Sequence, residues 1–415
     1  MLRDSARMMI CVAGLALAAS VAPQAPTPVY LTVPGRASAN VWLAAEGARV
    51  AAAWGASRPG GGTDVYLAVS SDGGRTFSTP TRVNDREGTA RVIGEAAPRV
   101  TFVARRGQSS AIDVLWVSRE SATDIRLARS LDDGRTFGPS RTLQAKGAVG
   151  NRGWATLTSD VRGGTHALWL DHRGMAAPAG APEHQHGAAG AEVLPAQGSA
   201  LYYSDGTTER EITKGVCYCC KTAIAAGANG AIYAAWRHVY PGNRRDIAFT
   251  VSSDGGRTFL PPVRVSEDEW AIDGCPEDGP ALAIDPDGTV YVVWPTVLTD
   301  PSPHKALFYS TTRDGRTFTP RVRVSPAGHS IAHPQIAIGP AGERAVFWEE
   351  IVGGRNRVFL SHRYDEGGFG PPEPLSELIS GTYAMPVFAG GALVVAWTEG
   401  GVEDSHIVVR RISAR

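Results

Sequence analysis

The chain has 415 residues, 43% hydrophobic and 20% charged, and its 41 Lys and Arg balance 41 Asp and Glu to a formal net charge of zero. That apolar content excludes a disordered chain, and the 48 Gly and 28 Pro follow no collagen-type period and so read as turns. A zero balance argues against nucleic acid as a partner, because phosphate binding needs a surplus of cations.

Arg3 and Arg7 precede an apolar run from Met8 to Ala18, with Ala16, Ala18 and Ala19 and a Pro/Ala stretch at its end. This is the pattern of a secretory signal, expected within residues 1–22, with cleavage after Ala18 or Ala22. The run is too short to span a bilayer, and no later stretch approaches the ~18 apolar residues that would. A mature chain without a transmembrane segment, periplasmic or extracellular, is expected. Cys11 leaves with the signal, so four cysteines remain: Cys217, Cys219, Cys220 and Cys275. An even number in an oxidising compartment reads first as disulfides.

Residues 23–415 read as a single all-β domain built from repeats. The phrase SSDGGRTF begins at Ser70, SLDDGRTF at Ser130, SSDGGRTF at Ser252 and TTRDGRTF at Thr311, with worn copies near Ser204 and Ser361. Before each copy lies a short β-type run expected to alternate in face, such as DVYLAVS or DIAFTVS. Further upstream lies a run ending in Trp, and Trp54, Trp116, Trp169, Trp236, Trp294, Trp348 and Trp397 hold this same place. With an inner run before the Trp run and a short outer run after the turn, each unit has four strands. Such units repeated radially make a β-propeller, because one unit cannot bury both its faces alone. The Trp count predicts seven blades, with six as the alternative. The last unit has only three runs, so the N-terminal run VYLTVP is expected to supply its fourth strand and close the ring. In the turn phrase Ser and Asp bond the local backbone and Gly supplies conformational freedom. Asp72, Asp132 and Asp254 therefore read as structural. An Ala/Gly/Pro/His-rich insertion at 174–197 reads as a surface loop or a mobile lid.

The turn phrase resembles the Asp-box (BNR) repeat S-x-D-x-G-x-T-F of the sialidase superfamily. Three copies match in full; in the fourth, Arg313 stands at the Asp position and Asp314 follows it. The resemblance spans nearly the whole mature chain. It implies a propeller, six-bladed in sialidases, and an exo-α-sialidase or related glycoside hydrolase acting on acidic sugars. In that family three arginines hold the substrate carboxylate, a Tyr activated by a Glu is the nucleophile, and an Asp is the general acid. The family's Arg-Ile-Pro phrase has no match at Val33-Pro34-Gly35-Arg36, so no catalytic residue is carried over by motif. The chain also resembles a group of secreted bacterial proteins with a CxCC phrase, here Cys217-Tyr218-Cys219-Cys220, and a later W-x-I-x-G-C-P phrase, here Trp270 to Pro276.

The repeated turns occupy one face of the ring, so the links between units and the loops after the Trp runs collect on the other, where functional groups are expected. Ionisable residues crowd that rim, among them Asp171, His172, Arg173, His238, Arg244, Glu350 and Glu399. Arg237 and Arg245 are candidates for an anion clamp, Asp273 or Glu349 for proton transfer, and Tyr383 or Tyr240 for the nucleophile. The four cysteines read as two disulfides, Cys217 with Cys219 or Cys220 and the remaining one with Cys275. The other readings are a thiolate site for Zn or Cu and a reactive redox thiol. No cofactor is otherwise required. A monomer acting on an acidic carbohydrate is one expectation, and a non-catalytic extracytoplasmic ligand- or metal-binding propeller is the alternative.

Overall fold

The computed structural model describes residues 27–120, 122–175, 193–272, 274–299, 302–325, 330–363, 368–376 and 380–413. The expected signal segment, most of the 174–197 insertion and Asp273 lie outside the described residues.

Those residues form seven four-stranded antiparallel units, each running from the centre outward. Blade 1 consists of Ala37–Glu46, Arg49–Ser57, Thr63–Ser70 and Thr81–Arg82. Blade 2 is Arg99–Arg105, Gln108–Arg119, Thr123–Ser130 and Arg141–Thr142. Blade 3 is Arg152–Ser159, Thr165–Asp171, Ala200–Ser204 and Glu209–Lys214. Blade 4 is Ala223–Ala226, Ile232–Arg237, Ile247–Ser252 and Val263–Arg264. Blade 5 is Ala281–Ile284, Val290–Leu298, His304–Thr312 and Val322–Arg323. Blade 6 is Ala332–Ile338, Arg344–Val352, Arg355–Arg363 and Glu373–Pro374. Blade 7 takes Gly381–Ala389, Ala392–Glu399 and His406–Ser413 from the C-terminus and Val29–Leu31 from the N-terminus. A two-residue strand, Ala90–Arg91, bridges blades 1 and 2.

The inner strands touch one another in cyclic order, blade 7 returning to blade 1, so the ring is closed. The closing strand is the expected one: Val29 pairs with Val409, Tyr30 with Val408 and Leu31 with Ile407. Blades 1 and 7 are further tied by Ser38 N donating to Ser405 O (2.8 Å) and Asn40 N to Thr398 Oγ1 (2.8 Å). Among the described residues no helix is long and apolar enough to cross a membrane.

Seven apolar clusters fill the seven interfaces between blades, and each holds one of the seven repeated tryptophans. None of these indoles is more than 2% exposed. Truncating a buried Trp costs about 3–5 kcal/mol, so the seven together dominate the packing. The third strands differ from their expected alternation. Ala200–Ser204 and Ile247–Ser252 are buried at every position, because a blade is covered on both faces by its neighbours.

The turn phrase forms one repeated structure. In blade 1, Gly74 N donates to Ser70 Oγ (2.9 Å), and Thr76 sends its N (2.9 Å) and Oγ1 (2.6 Å) to the two Asp72 oxygens. Asp132 and Asp254 bond Thr136 and Thr258 in the same way. In the fourth copy Thr312 takes the Ser place and Asp314 the Asp place, so the turn is shifted by one residue past Arg313. The Phe that ends each phrase packs between blades: Phe259 meets Tyr203 edge-on at 4.9 Å and Phe318 meets Phe249 at 5.1 Å. Gly256 has φ 88°, and a Cβ there would lie 1.8 Å from Tyr203 Oη, so only glycine fits.

Leu31 is 4% exposed in the cluster between blades 7 and 1. Leu31→Ala should lower the unfolding free energy by about 2–4 kcal/mol, read as a fall in the urea midpoint. An unchanged midpoint would mean that the N-terminal strand does not hold the ring.

Candidate functional site

Four inner strands break register opposite their blade's Trp. The shifts fall between Ala39 and Trp42, Gly153 and Thr156, Ala332 and Gln335, and Thr382 and Met385. In each β-bulge the first extra residue has a left-handed backbone: Asn40 (φ 57°), Trp154 (48°), His333 (53°) and Tyr383 (54°). Non-glycine residues in this region cost of order 1–3 kcal/mol, and such strain gathers at functional sites. The bulges place these side chains at the loop-bearing end of the central opening. In blade 4, whose inner strand starts only at Ala223, Lys221 comes to the same end.

A charged cluster is built there. Glu349, on the second strand of blade 6, is buried; its Oε1 accepts from His333 Nδ1 (3.1 Å) and from Tyr383 N. The His333 and Tyr383 rings lie 4.5 Å apart. His333 N donates to Asp278 Oδ1 (2.9 Å), and Lys305 Nζ donates to Asp278 Oδ2 (3.0 Å). On the other side, buried Glu95 accepts from Lys221 N (2.8 Å), Lys221 Nζ (3.0 Å) and Gly279 N (3.0 Å). Lys221 Nζ also reaches Pro334 O (3.0 Å), linking blades 4 and 6. Trp42, Glu95, Arg99, Lys221, His333 and Tyr383 line one small cavity of about 20 Å³, room for a single water.

The electrostatics fix two proton donors in it. Burial pulls the His333 pKa down, but the carboxylate of Glu349, with Glu95 and Asp278 behind it, holds it up at about 9. Burial pushes the Tyr383 phenol up, and Glu349, Glu95, Glu277 and Asp278 push it further. At neutral pH the cavity therefore holds an imidazolium and a neutral phenol. Glu277 Oε1 and Tyr383 Oη converge over Gly94, where a Cβ would lie 2.7 and 3.6 Å from them.

A wide cavity of about 1130 Å³ opens on the opposite face between the hairpins that join inner and second strands. Its acids are already engaged: Asp285 pairs with Arg344, Asp287 with Arg313, and Glu343 accepts from Ala341 N (3.0 Å). The cluster of buried titratable side chains lies on the loop face.

Behind the central cluster sit the cysteines. Cys219 and Cys275 are bridged, with Cα atoms 6.2 Å apart, while Cys217 and Cys220 are buried free thiols. This matches one of the two expected partners for Cys275, while the second expected bridge, Cys217 with Cys220, is open. Cys220 Sγ donates to Cys217 Sγ (3.5 Å), which also lies 3.8 Å from Cys219 Sγ and accepts from Arg245 Nη1 (3.3 Å). The Cys220 hydrogen bond lowers the Cys217 pKa to about 6 against burial, with help from Arg245 and Arg237. Burial, then Cys217 itself, raises Cys220. Three sulfurs, those of Cys217, Cys219 and Cys220, lie within 4.8 Å of one another, and with the Cys219–Cys275 bridge closed two of them are thiols.

Of the residues expected at the site, Glu349 and Tyr383 meet in the cluster. Arg237 is 1% exposed, and its donors go to carbonyls: Asp278 O (3.0 and 2.8 Å), Pro295 O (2.9 Å) and Arg245 O (2.5 Å). Arg245 is fully buried, holding Asn243 Oδ1 (2.9 Å) and Cys217 Sγ. Arg237, through Asp278 O and Arg245 O, and Arg245, through Cys217 Sγ, tie blade 4 to the links on either side of it. Several rim acids serve the core instead: Trp169, Trp348 and Trp397 donate Nε1 to Asp171, Glu350 and Glu399, each two residues further on. His333, Lys221, Glu95 and Glu277 were not singled out from sequence. Their signal was position, since three of them lie in or beside the segment facing a Trp from the neighbouring inner strand.

No family model matches the chain, and no curated protein matches it. Among solved structures it is similar to an ulvan lyase of polysaccharide lyase family PL25, with 10% identity over 93% of this chain and 96% of that one and a TM-score of 0.55. It is also similar to the α-L-arabinanase of Penicillium chrysogenum complexed with arabinobiose, with 15% identity, coverage of 94% and 99%, and a TM-score of 0.52. A Hadza microbial sialidase, Hz136, matches at 16% identity over 83% of this chain and 73% of that one, with a TM-score of 0.48. At such identities the likeness is one of fold, and the fold is the β-propeller.

A histidine whose pKa rises on folding stabilises the fold fully below its ordinary value near 6.5, and that contribution is lost as pH climbs through about 9. His333→Gln should remove the part of the stability–pH profile that falls between these values. An NMR titration placing the His333 midpoint near 6.5 would contradict the Glu349 pairing.

Proposed function

We propose that the protein is an exported carbohydrate-active propeller that takes an acidic sugar at the loop-face opening and cleaves its glycosidic linkage. The observation that carries this reading is the His333–Glu349–Tyr383 cluster, which holds an imidazolium and a neutral phenol around a cavity of about 20 Å³ at the loop-face opening. His333 and Lys221, each now paired with a buried carboxylate, supply positive charge at the cavity, and the Tyr383 phenol beside them suits protonation of a leaving oxygen. Glu349 is a positioning residue: it orients the His333 ring, keeps it charged and pins the Tyr383 backbone. Glu277, converging with Tyr383 over Gly94, is the carboxylate placed to take a proton.

The likeness to an ulvan lyase supports a carbohydrate substrate, and a second structure of that enzyme, matched at 11% identity with a TM-score of 0.51, is bound to -[GlcA(1-4)Rha3S]-. The finer reading, an exo-α-sialidase, rests on the resemblance of the repeated turns to Asp boxes. It asks Tyr383 to act as nucleophile, and its raised pKa means that a base must first take the phenol proton. The Cys219–Cys275 bridge supports an oxidising compartment outside the cytoplasm.

The test is a panel of sialosides and uronate-containing polysaccharides, read by released sugar and by ultraviolet absorbance of unsaturated ends. Turnover of one acidic substrate is expected, falling about 100-fold or more in Tyr383→Phe and His333→Gln. Binding without turnover would give the non-catalytic propeller, and no binding to any acidic sugar would remove the proposal.

A further inference from the structure

A second chemistry, independent of the sugar site, lies in the sulfur cluster. We propose that the four cysteines form a two-electron thiol–disulfide exchange centre, in which one disulfide moves between Cys219–Cys275 and Cys217–Cys220. A low-molecular-weight thiol or disulfide would enter at Cys275.

The geometry supplies each component. Cys217 and Cys220 stand at C-x-x-C spacing with their sulfurs 3.5 Å apart, so little movement closes a bond between them. Cys217 Sγ already lies 3.8 Å from the nearer sulfur of the existing bridge. Arg245 donates to Cys217 Sγ at 3.3 Å, which favours the thiolate, the species that attacks a disulfide. Cys275 is only partly buried, while the other three sulfurs are buried, so it is the cluster's contact with solvent. A purely structural pair of bridges would have no use for a cation aimed at one sulfur.

The steps balance without an external oxidant. The Cys217 thiolate attacks Cys219 Sγ; the Cys217–Cys219 bond forms, the Cys219–Cys275 bond breaks, and the electron pair leaves on Cys275, which takes up a proton. Cys220, giving up its proton, then attacks Cys217 Sγ; the Cys217–Cys220 bond forms and Cys219 leaves as a thiolate, which is protonated in turn. Two electrons have passed from the buried dithiol to the outer pair, which can then reduce a small disulfide.

Cys275 reports the position of the bond, because it lies on a separate peptide from the other three. Full-length protein holding one disulfide is quenched in acid, treated with a maleimide, digested and mapped. Wild type should show a Cys275-labelled fraction alongside the Cys219–Cys275 linkage. Cys217→Ser should lose the labelled fraction, whereas Cys220→Ser should keep it, stalled as Cys217–Cys219. Circular dichroism checks that both variants fold, and the wild-type pattern stands on its own if either does not. Cys275 unlabelled in wild type at every pH, equal labelling in the two variants, or four reduced sulfurs co-purifying with zinc or copper would each overturn the proposal.

Discussion

The architecture depends on one requirement: a four-stranded blade has two apolar faces and can cover neither by itself. Each interface meets it with a single indole from the second strand, surrounded by aliphatic side chains of the two neighbours. Because Trp is too large for any gap a mispaired blade would leave, its repetition at equivalent places sets both the register of each sheet and the angle to the next. The polar end of the indole is provided for in several blades, though Trp116 Nε1 has no hydrogen-bond partner among the described residues. Where an acid stands two residues on, as at Asp171, Glu350 and Glu399, the same strand that buries the ring satisfies its N–H.

The same residue shapes the centre. Opposite four of these tryptophans the inner strand carries one residue too many, and the surplus turns inward with a left-handed backbone. Packing and chemistry are thus adjacent on the chain: the Trp secures the strand, and the bulge uses that rigidity to aim Asn40, Trp154, His333 or Tyr383. The scaffold can bear four such strained positions because interblade burial exceeds their cost.

The blade architecture was legible because it is periodic. Tryptophan spacing and the S-x-D-x-G-x-T-F phrase both report local geometry repeated in every unit, and the orphan N-terminal run could be assigned because one blade lacked a strand. The site was legible only in part because its makers are not periodic. Glu349 and Tyr383 stood out by residue type and place. Lys221 and Glu95 did not, since their meaning comes from a contact spanning 126 positions. Arg237 and Arg245 illustrate the converse: on a rim rich in carboxylates an arginine reads as an anion clamp, yet here most of their donors go to carbonyls and a sulfur, with Arg245 Nη2 left without a hydrogen-bond partner among the described residues. Composition cannot tell a guanidinium that faces a cleft from one that ties a loop beneath it.

The pairing of Val29–Leu31 with His406–Ser413 has a consequence for how the molecule comes into being. A ribosome releases the first of these segments long before the last, so the earliest residues must wait, unpaired, for nearly the whole chain to follow. Until then the growing arc has two uncovered apolar blade faces at its ends, and once made, His406–Ser413 is an open β-edge able to recruit a foreign strand. Sealing the circle is a contact of near-maximal sequence separation, the slowest kind to find by diffusion. Maturation is therefore governed by the meeting of the two termini, and quality control has its longest opportunity just before that meeting.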